Sequence, residues 1–198
     1  MTKLSNFFLT LSVLLVVAGC ATPTLPPTLS LNFAQSPVIN VNVANIEVVE
    51  AYKYPFRAPN VEHLMPYSPA DAMAIWVKDR LHAVGSDKLL QITIVDASVI
   101  ASDLPKTKGV QGLFTVDQDK KYDARLEVEM RIYGDAALSE ADTSVAVTRS
   151  ITIPENANVN YRKEVYIQLI QDMMKTMNGK LENNMLNYMR NYINISNK

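Results

Sequence analysis

From Tyr122 to Ile132 the chain alternates without a fault: Tyr122, Ala124, Leu126, Val128, Met130 and Ile132 are apolar or aromatic, and Asp123, Arg125, Glu127, Glu129 and Arg131 fill the places between. Successive side chains on a β-strand point to opposite faces, so this segment reads as a strand with one buried and one wet face. A sheet of that kind is normally antiparallel and needs a cover over its apolar side. The cover has to come from elsewhere in the chain.

Two segments have the pattern to supply it. Ser68-Pro69-Ala70-Asp71 reads as a helix start, with Ser68 as cap, Pro69 at the first helical position and Asp71 reaching back. Met73, Trp76, Val77, Leu81 and Val84 then recur at three- and four-residue steps, Trp76 reads as core, and Gly85 is placed to end the helix. Beyond Pro154 a long amphipathic helix carries Tyr166, Leu169, Ile170, Met173, Met177, Leu181, Tyr188 and Tyr192 as its apolar stripe, with Gly179 a point where it could break.

Further strands are predicted around these. Ile39, Val41 and Val43 alternate with Asn40 and Asn42, and Ile46 and Val48 continue after a phase change near Ala44-Asn45 that reads as a bulge. Leu90, Ile92 and Ile94 begin a strand running to about Val99. After the loop from Pro105 to Gly109, Val110–Val116 and Tyr122–Tyr133 are predicted arms of a hairpin joined by residues 117–121, and Val145, Val147, Ile151 and Ile153 make a last strand. The expected architecture is α+β, two helices packed on one face of a mostly antiparallel four- to five-stranded sheet. With 198 residues, 48% of them hydrophobic, and no internal repeat, residues 38–198 read as a single domain.

Upstream of that domain the pattern is different. After Lys3 the next charged residue is Glu47, and Leu4–Val17 is an apolar run of about fourteen residues, short of the ~20 that cross a bilayer but right for the hydrophobic region of an export signal. It ends on Val17-Ala18-Gly19-Cys20, and Cys20 is the only cysteine, so no intramolecular disulfide can form. These four residues resemble the bacterial lipobox, with Val17 where leucine is commoner. The resemblance implies that residues 1–19 are a signal peptide cut before Cys20, whose thiol receives a diacylglycerol and whose new amino terminus is acylated. The alternative is an ordinary cysteine after an uncleaved anchor. By resemblance to Gram-negative sorting, Ala21 in place of Asp favours the outer membrane over the inner. Ala21–Pro37 holds Pro23, Pro26, Pro27 and Pro37 and no charge, so 20–37 reads as a lipidated, semi-rigid tether; because Leu29, Leu31 and Phe33 alternate, an irregular first strand is the other reading.

Little in the chain points to chemistry. A net charge of −1 and a pI near 6.1 supply no basic field for phosphates, so nucleic acid is not an expected partner. There is no Gly-rich phosphate loop, no nucleophile elbow and no paired-histidine metal motif; His63 and His82 stand nineteen positions apart. Asp117, Asp119 and Asp123 lack the glycine and terminal glutamate of a calcium loop and suit a turn. Glu127 and Glu129 share their strand face with Arg125 and Arg131, which reads as a ladder of cross-strand ion pairs rather than a catalytic carboxylate pair. Met173, Met174, Met177, Met185 and Met189 read as core, with an apolar groove as the alternative. Asn194-Ile195-Ser196 matches a glycosylation sequon that has little meaning in bacteria. An enzyme is not expected, and no cofactor beyond the lipid on Cys20.

The lipobox, the tether and the strand–helix–strands–helix order over Val38–Tyr192 resemble small periplasm-facing lipoproteins that assist envelope transport, namely the auxiliary lipoproteins of ABC-type intermembrane lipid transporters and, in architecture, the lipopolysaccharide-assembly lipoprotein. This implies a non-catalytic accessory or adaptor that contacts an envelope protein complex; a lipoprotein holding lipid or another apolar ligand is the second reading, and an enzyme a distant third. The expected partner surface is the loop that gathers Tyr52, Tyr54, Phe56, Leu64, Met65 and Tyr67, unless these side chains fold back to cap the sheet.

Overall fold

The computed structural model describes residues 31–105, 117–134 and 138–196. The expected signal, Cys20, the expected tether as far as Ser30 and the expected arm Val110–Val116 lie outside the described residues.

The fold is α+β, and its spine is the alternating strand. That strand, β6 (Gln118–Tyr133), begins four residues earlier than its clean alternation, so most of the segment expected as a turn is strand. Along one edge it pairs antiparallel with β7 (Ser139–Pro154), from Gln118 opposite Pro154 to Tyr133 opposite Ser139. Its other edge is shared by β4 (Leu89–Asp96) and β5 (Val99–Asp103), which run in the same direction and are one strand interrupted at Ala97-Ser98. There Ser98 turns its amide to the Asp96 Oδ1 at 2.9 Å, and the Arg125 amide reaches the Ser98 carbonyl at 2.9 Å.

The sheet is mixed rather than wholly antiparallel. β2 (Asn45–Glu50) lies parallel to β4, Asn45 opposite Leu89 through Glu50 opposite Ile94. A second, three-stranded sheet joins β1 (Val38–Val41) in parallel to β3 (Leu81–Ala83) and antiparallel to β8 (Ile193–Ser196). The phase change near Ala44-Asn45 is therefore no bulge. The chain leaves one sheet there and enters the other, and nothing requires the phase to carry across.

Helix α1 (Pro69–Arg80) starts as its sequence dictates, with the Asp71 amide donating to Ser68 Oγ at 3.0 Å and the Ser68 amide donating to Asp71 Oδ2 at 2.9 Å. It ends five residues before Gly85. Leu81, His82 and Ala83 instead pair with Ile39, Asn40 and Val41, so Leu81 is buried in β3 and Val84 is exposed. Gly85 serves a close approach: a Cβ there would stand 2.7 Å from both the Asn42 carbonyl carbon and the Val43 nitrogen.

Helix α2 (Val159–Tyr188) runs unbroken through Gly179, where a Cβ would meet nothing within 4 Å. Leu169, Ile170, Met173, Met177 and Leu181 are buried as expected, whereas Tyr188 points outward and Tyr192 falls in the 3-10 turn beyond the helix. Both helices pack on the apolar face of β6 and β7, forming one core with Leu90, Ile92, Ile94, Leu126, Val128, Met130 and Trp76. On β7, Lys180 Nζ and Asn184 Nδ2 of α2 donate to the carbonyls of Ala146 and Ser144, both at 3.1 Å, and so occupy part of its free edge.

Candidate functional site

β2 leaves the sheet at Glu50, and the loop that follows is anchored by polar contacts before it displays anything. The amides of Ala51 and Tyr52 both donate to the Ile94 carbonyl. Val61 and Ala101 exchange backbone bonds with Val99 and Pro59, at 2.9 Å each, and so close the free edge of β5. Beneath them lies Glu62, 1% exposed, which accepts from the Tyr52 hydroxyl at 2.9 Å, from Asn60 Nδ2 at 3.3 Å and from the Val99 amide at 3.1 Å. A buried carboxylate is costly unless its lone pairs are filled, and these donors fill them. Burial, and then the hydrogen bond to Glu62, push the Tyr52 phenol well above its ordinary pKa. The Tyr54 phenol, bonded to Ser68 Oγ at 3.0 Å, is raised by burial as well.

The six residues expected as a partner surface divide accordingly. Tyr52, Tyr54, Met65 and Tyr67 are half-buried against the core and cap the sheet. Phe56 and Leu64 are turned out, at 69% and 68% exposure. Tyr52, Tyr54, Phe56 and His63 form a chain of edge-to-face and tilted rings, with centroids 5.5, 5.8 and 5.6 Å apart. Phe56 holds a φ of 53°, in the left-handed region that a bulky residue rarely occupies.

Pattern reading missed the other half of this surface. Val159 and Tyr161, in the first turn of α2, are 68% and 45% exposed. Val159, seven residues before Tyr166, is in phase with the buried stripe, so its exposure left no signal in the sequence, and only Tyr161 falls out of phase with it. Between α2 and the loop lies an open cleft of about 460 Å³, lined by Leu64, Met65, Val159, Arg162, Lys163 and Tyr166 together with His63 and Pro66. Arg162 donates to the Ala157 carbonyl at 3.2 Å and stands 4.0 Å from Asp119 Oδ2; Lys163 is exposed and has no ion-pair partner among the described residues. His63 Nδ1 is buried without a hydrogen-bond partner among them. A second open cleft, about 260 Å³, lies where the chain enters the domain, between Leu31, Phe33 and Ser36 and the α2 residues Gln171, Lys175 and Asn178.

The remaining candidates fall to structural roles. Met173, Met174, Met177, Met185 and Met189 have no exposure, so they line the core and not a groove. Arg125 pairs with Asp96 of β4 at 3.2 Å and with Glu127, and Arg131 pairs with Glu129 at 2.9 Å, so the charged face is ion-paired as much along β6 as across to its neighbour. Asp123 pairs with Lys121 at 2.7 Å inside the strand. Among the described residues no group of three or more His, Cys, Asp or Glu side chains could hold a metal ion, and no helix is long and apolar enough to cross a membrane.

No family model and no curated protein matches the chain. Among solved structures it is similar to a minor lipoprotein from Acinetobacter baumannii, at 11% identity over 69% of this chain and 89% of that one, with a TM-score of 0.34. It is similar also to a protein from Xanthomonas campestris (8% identity, 76% and 85% covered, TM-score 0.34) and to rare lipoprotein B from Shewanella oneidensis (11%, 70% and 97%, 0.27). Likeness at this level says nothing of activity or partner.

Proposed function

We propose that the chain is a bacterial lipoprotein, lipidated on Cys20 and facing the periplasm from the outer membrane, that serves an envelope transport or assembly system as a non-catalytic accessory or adaptor. The observation that carries this reading is the sequence Val17-Ala18-Gly19-Cys20 at the end of a signal-length apolar run, with the sole cysteine at its last position. Two or three acyl chains there would hold the domain durably, since one chain gives only marginal binding.

Two features of the domain support binding as its mode of action. Glu62 and Arg80, both buried, are occupied in joining elements, and four of the exposed apolar side chains, Phe56, Leu64, Val159 and Tyr161, belong to the start of α2 and the loop beside it. The reading in which lipid is held inside the domain is weakened, because the methionines that suggested a groove are core and the clefts are open. In-cell crosslinking of the lipidated protein, followed by mass spectrometry, tests the adaptor role. Discrete adducts to one envelope complex are expected; a turnover activity in the purified protein, or a stoichiometric lipid bound in its interior, would replace the reading.

A further inference from the structure

The cleft beside the start of α2 combines three properties. Its lining includes two exposed apolar side chains, Leu64 and Val159, and Phe56 extends the patch through its ring contact with His63. Its charged lining is basic only, Arg162 and Lys163, while the one carboxylate of the loop below, Glu62, is turned inward to Tyr52 and Val99. The first turn of α2 holds no acidic residue, and these two cations sit at the helix's positive end, where they work against its dipole. Arg162 stands 4.0 Å from Asp119, but Lys163 has no ion-pair partner among the described residues and calls for an anion from outside the domain. An exposed Phe56 at positive φ, and two further apolar side chains at the same site, call for an apolar medium beside that anion.

A phospholipid surface offers both at once. We propose that this patch rests on the anionic headgroup surface of a bilayer, Phe56, Leu64 and Val159 entering the boundary between headgroups and acyl chains and Arg162 and Lys163 lying against lipid phosphates. On the reading above, that bilayer is the one in which Cys20 is anchored, and the reach of the chain agrees. Leu31 lies beside Gln171, twelve residues from Val159, or about 18 Å along the helix. Eleven Cα-to-Cα steps lead from Cys20 to Leu31 and can span up to about 36 Å. The anchor can therefore stand beside the patch, so that the two contacts act together and set which side of the domain faces the periplasm.

The test uses the mature chain from residue 20 carrying Cys20→Ser, so that no acyl chain contributes and the outcome is independent of lipidation, which the mass of the native amino terminus reports separately. Co-sedimentation with vesicles of phosphatidylethanolamine and phosphatidylglycerol is expected to exceed that with phosphatidylcholine alone and to fall as salt rises. The double variant Phe56→Ser, Leu64→Ser and the single variant Lys163→Glu should each weaken binding by about tenfold while leaving the circular dichroism spectrum unchanged. Absence of vesicle binding by the parent, equal binding to both lipids, or loss on Lys163→Glu with none on Phe56→Ser, Leu64→Ser would overturn the proposal, the last outcome being adsorption by charge alone. Should the serine variant fail to fold, a photoreactive residue at Leu64 decides instead: adducts to phospholipid in the vesicle support the proposal, and none contradicts it.

Discussion

Arg80 has no exposed surface, and its guanidinium is spent entirely on joining parts of the fold. Its Nε donates to the Pro37 carbonyl at 2.7 Å, its Nη atoms reach Asn178 and Glu182, and its head stands 5.8 Å over the Trp76 ring. One side chain thus ties the entry to β1, the end of α1 and the middle of α2. Arg80→Leu should destabilise the domain by about 3 kcal/mol, because it leaves Glu182, Asn178 and the Pro37 carbonyl without their donor, and Arg80→Lys should recover only part of that since the fork is lost; thermal melts of the two variants check this. Gly85→Ala tests a different kind of constraint. The backbone of Asn42 and Val43 lies 2.7 Å from where the new carbon would go and cannot swing aside as a side chain can, so a loss of about 1–3 kcal/mol is expected. Tyr52 gives a pH dependence. Its phenol titrates in the folded state well above the ordinary value of 10.0, so the unfolded chain releases that proton first, and the stability it contributes is whole below about pH 10 and lost as pH rises toward the folded value. Tyr52→Phe should flatten the decline in stability above pH 10, measured by urea titration; an unchanged slope would contradict the assignment.

At the level of elements, period-two and period-3.6 patterns identified whatever was long and one-sided. In β6, Leu126, Val128 and Met130 have no exposure while Arg125, Glu127 and Glu129 are partly open, so Val128→Asp should cost several kcal/mol by burying an unpaired charge and Glu127→Ala under about 1 kcal/mol. Equal shifts in a thermal melt would refute the face assignment. The start of α1 was legible because Ser68, Pro69 and Asp71 each act within four residues of one another. Its end was not. Leu81–Ala83 continues the helical spacing, and only pairing with Ile39–Val41, some forty residues away, draws it out of the helix. The parallel partnership of β2 with β4 and the three-residue β3 escaped for the same reason: such short or non-local pairings leave no period in the sequence. The loop before α1 was recognised as aromatic, but which rings turn inward depends on Glu62 and Ser68 as acceptors, and Val159 joins Leu64 only through the tertiary fold.

For the molecule as a whole, everything turns on whether the chain is held at a membrane by its amino terminus. The domain supplies a hydrophobic core, clefts that are open, and an apolar and basic patch at the start of α2. Cys20→Ala should leave the precursor uncleaved and larger on a gel by the length of residues 1–19, since the resemblance to the lipobox makes the thiol a precondition for cleavage. The most direct measurement is intact mass and peptide mass spectrometry of the protein expressed with its own signal in a Gram-negative host and extracted from membranes. The account predicts a mature chain that begins at Cys20 and carries a diacylglycerol thioether and an acylated amino group. An unmodified Cys20, or an amino terminus at any other residue, would contradict it.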